Sequence, residues 1–103
     1  MTIKFARTVH PGEYLREEFL VPLGMSPGAL AKKLNLPRTR IERIVREEVA
    51  VTPDTALRLA RFFGMSPQFW MSFQTAFDIE TTERDIAAAL QAIIPLEGGP
   101  MAA

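Results

Sequence analysis

The stretch of this chain that most constrains its fold runs from Ser26 to Arg46, with the sequence SPGALAKKLNLPRTRIERIVR. Ser26 followed by Pro27 is a typical helix start, because the serine side chain caps free amides and proline suits the first helical position. Asn35 predicts a helix end, since asparagine tolerates the left-handed backbone conformation that such an end requires. Pro37 then predicts the start of a second helix. The stretch therefore indicates two short helices joined by a tight turn, which is the pattern of a helix-turn-helix.

Each of these helices has an apolar face at helical spacing. The apolar residues are Leu30, Ala31 and Leu34 in the first helix, and Ile41, Ile44 and Val45 in the second. The opposite face of the second helix is polar and basic near its N-terminus, which is the end that enters the major groove in helix-turn-helix proteins. This polar face consists of Arg38, Thr39, Arg40 and Arg43.

These residue types suit DNA recognition. Arginine can donate two hydrogen bonds to guanine, and threonine can hydrogen-bond to a base or contact a thymine methyl group. We therefore predict that the polar face contacts bases and phosphates, with Arg38, Arg40 and Thr39 supplying the sequence discrimination. Lys32, Lys33 and Arg46 are predicted to contact the DNA backbone. The alternative interpretation is a short helical hairpin whose basic face is only solvated.

The charges are distributed unevenly, although the formal net charge of the whole chain is zero. Residues 26–46 contain six basic side chains and one acidic side chain, for a net charge of +5. Residues 47–103 contain three basic and eight acidic side chains, for a net charge of −5. A basic patch on an acidic body favours a nucleic-acid partner, although a plain solvated surface would give the same count.

Composition excludes several other classes of protein. The 103 residues are enough for one domain with a modest core, and the lack of cysteine rules out a disulfide framework and a cysteine zinc site. No apolar run predicts a signal peptide or a transmembrane helix, so we expect a cytoplasmic protein with no membrane contact. We predict no cofactor and no metal. His10, the only histidine, is expected to cap a helix or lie on the surface rather than act as a base.

The remaining segments also predict helices. One starts at His10-Pro11 and ends near Gly24, and another starts at Thr52-Pro53 and ends at Gly64. We expect a further helix from Pro67 to about residue 77 and a last helix over residues 81–94. No stretch alternates in the manner of a β-strand, so the predicted fold is all-α with five or six helices.

The C-terminal helices carry two apolar patterns. Phe69, Trp70, Phe73 and Phe77 recur at helical spacing, which favours core packing or an oligomer interface over base stacking. Ile86, Leu90 and Ile93 form a stripe that is predicted to mediate dimerisation. We predict a single domain over residues 1–103. Its parts are a helix-turn-helix core at 10–64, C-terminal dimerising helices at 66–95 and a loose tail at 96–103.

Three segments together resemble a known family. They are HPGEYLREEFL, the helix-turn-helix, and TPDTALRLARFFGMSPQFWMSFQTAFDIE, so that the resemblance covers His10 to Glu80. This combination is similar to the HigA-type antitoxins, also called VapI-like proteins, of the XRE/Cro-repressor superfamily. The resemblance implies a lambda-repressor-like domain with an extra C-terminal helix. It also implies a homodimer that binds a palindromic operator, represses its own operon and neutralises a HigB-like toxin, an mRNA endonuclease related to RelE.

The chain departs from this family at one place. Many relatives have a glycine-containing, basic loop after the second helix of the motif, whereas this chain has Glu47 and Glu48. Two carboxylates near DNA would weaken phosphate contacts unless the loop points away.

Three other functions remain open from the sequence. One is a stand-alone transcriptional regulator, and another is a protein-interaction module without DNA binding, which the two glutamates favour. The third is a small enzyme. Adjacent carboxylates on a helix point about 100° apart, and no phosphate loop or metal-ligand cluster accompanies them, so we predict that the protein is not an enzyme.

Overall fold

The computed structural model of the protein describes residues 8–98, and within this range it contains six helices and no β-strand. Helix α1 consists of three consecutive segments, Pro11–Leu15, Arg16–Leu20 and Val21–Leu23. The others are α2 (Pro27–Leu34), α3 (Arg38–Val45), α4 (Pro53–Phe63), α5 (Pro67–Asp85) and α6 (Ala87–Gln91). The predicted all-α fold with five or six helices is confirmed. Most of the predicted tail lies outside the described residues.

Local chemistry sets the helix boundaries as predicted. The Ser26 hydroxyl accepts a hydrogen bond from the Ala29 amide at 3.0 Å, and Thr52 and Ser66 cap α4 and α5 in the same way. The residues that follow α1, α2 and α4 adopt left-handed conformations, which satisfies the last carbonyls of each helix. They are Gly24 (φ 61°), Asn35 (φ 57°) and Gly64 (φ 68°).

Helix α1 contains one wide turn. Over Arg16–Leu20 the hydrogen bonds follow the π-helical pattern, and the Val21 amide bonds to the Arg16 carbonyl five residues earlier. A single π turn of this kind accommodates one extra residue in a helix. Pro22, which has no amide to donate, follows at once in the last turn before Gly24.

All of the first five helices contribute to one core. Leu15 from α1, Leu30 from α2 and Ile41 from α3 are fully buried, as are Leu59 from α4 and Trp70 from α5. The Trp70 ring lies with its centroid 5.4 Å from that of Phe19 and 5.3 Å from that of Phe69. Core packing of the aromatic residues of α5, the first of the two predicted alternatives, therefore holds for Trp70.

The backbones of α1 and α3 touch. A Cβ atom placed on Gly12 would lie 1.7 Å from the carbonyl oxygen of Ile44 and 2.7 Å from its carbonyl carbon. Because both of these atoms belong to the backbone, no side-chain rotation can relieve that overlap. Only glycine fits at position 12, and its presence brings the start of α1 against the end of α3.

The C-terminal helices differ from the prediction in one respect. The expected boundary between residues 77 and 81 is wrong, because α5 continues without interruption to Asp85. No glycine or proline lies in this region, and Glu80 and Arg84 form an (i, i+4) ion pair at 3.7 Å that supports a continuous helix. The break falls instead at Ile86 (φ −112°), after which α6 has only five residues.

Candidate nucleic-acid interface

The outward face of α3 carries the residues predicted to contact DNA. Ile41, Ile44 and Val45 are buried on the inner face, so the helix has one orientation against the core. The four predicted contact residues on its other side are all exposed: Arg38, Thr39, Arg40 and Arg43. The Arg38 side chain is 72% exposed and that of Arg43 is 63% exposed.

An open groove of about 530 Å³ runs beside this face. It is formed by α3, the loop that follows it and the first turn of α4. The lining includes Thr39, Arg40 and Arg43 from α3, with Thr52 and Asp54 from the start of α4. The groove therefore joins three of the four predicted residues to the N-terminus of the next helix.

The three residues predicted to contact the DNA backbone are placed differently from one another. Lys32, Lys33 and Arg46 are all exposed. Lys33 lines a separate depression with Arg58 and Arg61, between the end of α2 and α4. The structure therefore does not bring Lys33 to the groove beside α3, whereas Arg46 directly follows that helix.

Each exposed arginine of α3 has a carboxylate partner. Arg38 Nε lies 3.4 Å from Glu42 Oε2, and Arg40 Nη1 lies 3.8 Å from Asp54 Oδ1. Arg43 Nε lies 3.9 Å from Glu48 Oε1. Exposed ion pairs at such distances are weak and exchange readily with other partners. The arginines remain available to DNA, although each must share its charge with a neighbouring carboxylate.

The two glutamates after α3 point in different directions. Glu48 pairs with Arg43 on the exposed face, whereas Glu47 pairs with Arg16 of α1 at 3.5 Å. Glu47 is also one of two non-glycine residues between 8 and 98 with a positive φ, at 63°. This backbone conformation favours glycine, and the Arg16 contact gives the glutamate a specific role there. One of the two carboxylates is therefore directed to α1.

Arg16 is a functional candidate that the sequence did not reveal. Its Nη1 donates a hydrogen bond to the Val45 carbonyl at the end of α3, while its Nε donates to Glu17 Oε2 at 2.8 Å. A cation at a helix C-terminus satisfies a free carbonyl and interacts favourably with the helix dipole. The hydrogen bond with Glu17 raises the pKa of Arg16, and the nearby Glu47 carboxylate acts in the same direction. In sequence Arg16 precedes two glutamates and resembles a solvated surface residue.

Arg58 has a similar position at the end of α2. Its Nε donates to Asp54 Oδ1 at 2.7 Å, four residues earlier in the same helix. Its Nη1 donates to the Leu34 carbonyl at 2.8 Å, a contact that the sequence did not predict. The ends of both helices of the motif are thus capped by arginines from neighbouring helices.

His10 caps α1 and is buried, with only 4% of its surface exposed. Its Nδ1 accepts a hydrogen bond from the Gly12 amide at 2.9 Å, and its ring meets Phe77 edge-on at 4.9 Å. Burial lowers the pKa of His10, although a hydrogen bond to the Val49 backbone and nearby carboxylates oppose the shift. The predicted cap is confirmed, and the alternative of a surface position is wrong.

The described part of the chain offers neither a metal-binding cluster nor a membrane-spanning helix. Residues 8–98 contain no group of three or more histidine, cysteine or acidic side chains arranged to hold a metal ion. In the same range, no helix has the length and apolar character needed to cross a membrane.

The fold and the exposed face of α3 define a helix-turn-helix protein, and a family model described as "Helix-turn-helix" matches residues 15–70. Virulence-associated protein I of Dichelobacter nodosus is 51% identical over 88 residues, which cover 85% of this chain and 81% of that protein. Antitoxin HigA-1 of Vibrio cholerae serotype O1 is 32% identical over 90 residues, covering 87% of this chain and 85% of that one. The solved structure of Pseudomonas aeruginosa antitoxin HigA with the higBA promoter is 40% identical. Its TM-score is 0.85, and the match covers 87% of this chain and 99% of that one.

This chain therefore belongs to the HigA-type antitoxins of the XRE helix-turn-helix family, as the resemblance indicated. It is a DNA-binding class of protein and a non-enzymatic one.

Proposed function

We propose that this protein is a cytoplasmic, dimeric repressor of its own toxin–antitoxin operon, and that it also neutralises a HigB-like endonuclease toxin. The observation that carries the repressor role is the exposed face of α3, with four polar side chains crowded near the helix N-terminus above a fully buried inner face. A structural neighbour of this chain was solved with a promoter, which supports the same role.

In the proposed complex, α3 lies in the major groove of operator DNA. Arg38 and Arg43 contact base edges, and Thr39 contacts a base or a thymine methyl group. Arg40, Arg46 and Lys32 contact phosphates, which supply affinity without sequence preference. Lys33 is expected to contribute less than was predicted, since it lines a different surface.

The dimer would form through the stripe predicted from the sequence. Ile86, Leu90 and Ile93 are 42%, 40% and 65% exposed and lie on or directly beside the short helix α6. Exposed apolar side chains grouped in this way favour a partner surface. Ile86 and Leu90 also line an apolar depression of about 360 Å³ with Ile79 of α5. A symmetric pair would place the two α3 helices on half-sites one helical turn apart, roughly 34 Å, which suits a palindrome.

Anisotropy of labelled DNA tests the repressor role. The probe is the DNA upstream of the protein's own gene, compared with a scrambled probe of equal length over a salt series. We expect tighter binding to the upstream DNA and a log–log salt slope of about −0.9 for each phosphate contact. Equal binding to both probes, or no binding to either, would refute the repressor role and favour an interaction module.

Co-expression tests the toxin role. Induction of the neighbouring toxin-like gene should arrest growth, and co-expression of this protein should restore growth. The similarity to antitoxin HigA-1 supports this expectation. Operator binding without rescue would favour the alternative of a stand-alone regulator.

A further inference from the structure

The ion pairs on α3 engage different atoms of the guanidinium groups. In the pairs of Arg38 with Glu42 and of Arg43 with Glu48, the nitrogen closest to the carboxylate is Nε. In the pair of Arg40 with Asp54 it is the terminal nitrogen Nη1. The first two arginines therefore meet their carboxylates through the inner nitrogen of the guanidinium rather than through an outer one.

The stem of Arg38 is held at a second point. A Cβ atom placed on Gly28 of α2 would lie 2.9 Å from Arg38 Cδ and 3.3 Å from Cγ, so the stem lies directly on the α2 backbone. Because glycine leaves that space free, the α2 backbone limits where the Arg38 stem can lie, and the weak ion pair with Glu42 at Nε favours one orientation of the guanidinium. An otherwise exposed and flexible side chain therefore has a preferred direction.

That direction suits one kind of DNA contact. Guanine presents O6 and N7 as paired acceptors, and arginine matches them with two parallel N–H groups. An arginine that is already oriented loses less side-chain entropy when it makes this contact. On DNA without a suitable guanine the arginine must turn toward a phosphate, which breaks its ion pair and leaves a carboxylate beside the phosphate chain.

From this geometry we infer that Glu42 and Glu48 are positioning residues that hold Arg38 and Arg43 for guanine, and so set the preference for operator over other DNA. The inference rests on the proposed repressor function. Asp54 has a different effect, because it engages the outer end of Arg40 and leaves that arginine better suited to a phosphate.

The first experiment measures specificity. The variants Glu42→Gln and Glu48→Gln are titrated by anisotropy against upstream and scrambled DNA. We expect the ratio of the two affinities to fall about two- to fivefold per half-site, the range that corresponds to one exposed ion pair. Glu97→Gln, which removes an equal charge after α6, should leave the ratio unchanged, and Asp54→Asn should raise both affinities together. The inference would be overturned if Glu42→Gln and Glu48→Gln raised the affinities for upstream and scrambled DNA equally.

The second experiment identifies the base contact. Upstream DNA in which 7-deazaguanine replaces guanine lacks the N7 acceptor but keeps its base pairing. The wild-type protein should bind this probe more weakly, but by less than the roughly five- to 150-fold that one full bidentate pair contributes, because O6 remains as an acceptor. The loss should be smaller in Glu42→Gln and Glu48→Gln, since their arginines no longer select that geometry. Equal losses of affinity in wild type and variants would overturn the inference. This outcome is also the one expected if a glutamate contacts cytosine directly instead of orienting an arginine.

The two failures can be told apart. Wild-type protein that does not distinguish upstream from scrambled DNA contradicts the repressor function, and the inference falls with it. Wild-type protein that distinguishes them, with variants that distinguish them equally well, contradicts the positioning role alone. Unfolding midpoints followed by Trp70 fluorescence should be the same in all variants except Asp54→Asn, because Asp54 also holds Arg58.

Discussion

Two glycines in this chain occupy equivalent places and should respond oppositely to the same substitution. Gly12 and Gly28 each occupy the second position of a helix, directly after the proline that begins it. A methyl group on Gly12 would lie 1.7 Å from the Ile44 carbonyl oxygen, whereas one on Gly28 would meet only the Arg38 side chain. Alanine favours the helix in both places by up to about 1 kcal/mol. The difference in unfolding free energy between the two variants therefore isolates the contact of Gly12 with the Ile44 carbonyl.

The magnitude for Gly12→Ala follows from the overlap. A carbon and a carbonyl oxygen need about 3.2 Å, so α1 and α3 must separate by roughly 1.5 Å. Overpacking of a fixed contact costs about 1–3 kcal/mol, and the upper end applies because both partners are backbone. We expect a net loss near 2–3 kcal/mol, which lowers the melting temperature by about 8–24 °C in a domain of this size. Gly28→Ala should leave the stability unchanged or raise it by up to about 1 kcal/mol, because Arg38 can move aside.

Urea unfolding of both variants, followed by fluorescence of the single tryptophan, measures these differences. The Trp70 side chain is fully buried, so its emission reports loss of the core. Gly28→Ala should also lower operator specificity while it preserves stability, since the methyl group displaces the Arg38 stem. If both variants lose stability equally, or if Gly12→Ala is neutral, then the close contact of α1 with α3 is refuted.

Three further predictions concern α1 and the C-terminus. Arg16→Met keeps the apolar stem but removes the donor to Val45, so we expect a loss of about 1 kcal/mol and weaker operator binding under conditions where the variant remains folded. Burial lowers the pKa of His10 below its ordinary value of 6.5. As the pH falls, the imidazole is therefore protonated in the unfolded chain before it is protonated in the folded one. Stability should therefore fall as the pH drops below about 6.5, and His10→Asn should reduce that slope. Leu90→Glu should convert the proposed dimer into a monomer in sedimentation experiments.

Each of these predictions has its own control. Glu17→Gln leaves the Val45 contact in place, so it should weaken operator binding less than Arg16→Met does. For His10, the slope of unfolding free energy against pH is compared between wild type and His10→Asn. The difference between the two slopes cancels the titration of the carboxylates that both proteins share. Leu57→Glu makes the same substitution at a leucine of α4 that is more exposed, at 60% against 40% for Leu90. Dissociation by this variant as well would contradict dimerisation through the C-terminal stripe.

Local signals predicted the helix boundaries where the sequence has strong start and stop residues. Ser26 and Asn35 bracket α2 as expected, because capping is decided by neighbours a few residues apart. The boundary expected near residues 77–81 failed because no such residue lies there, and helix propensity and the Glu80–Arg84 ion pair support the continuation of α5. Sequence periodicity does not distinguish one long helix from two shorter ones in that situation.

The candidate interface was predictable only in part for a related reason. The exposed residues of α3 follow from its amphipathic pattern, which is a local property. Arg16 and Val45 lie 29 residues apart, and Arg58 and Leu34 lie 24 apart, so their contacts depend on how the helices pack. The partner of Glu47 likewise becomes visible only once α1 and α3 are adjacent, whereas Glu48 pairs with Arg43 only five residues earlier.

The unbroken length of α5 has a consequence for how operators and repressors in such a family could diverge. The helix is anchored in the core at Trp70, and the apolar stripe starts at Ile86, about 24 Å farther along at 1.5 Å per residue. In the proposed dimer, one inserted residue would shift the partner by about 1.5 Å and rotate it by about 100°. A change of α5 length would therefore alter the spacing and relative rotation of the two α3 helices in this dimer without changing any residue that contacts a base. Spacer length in the operator and helix length in the protein would have to change together during evolution.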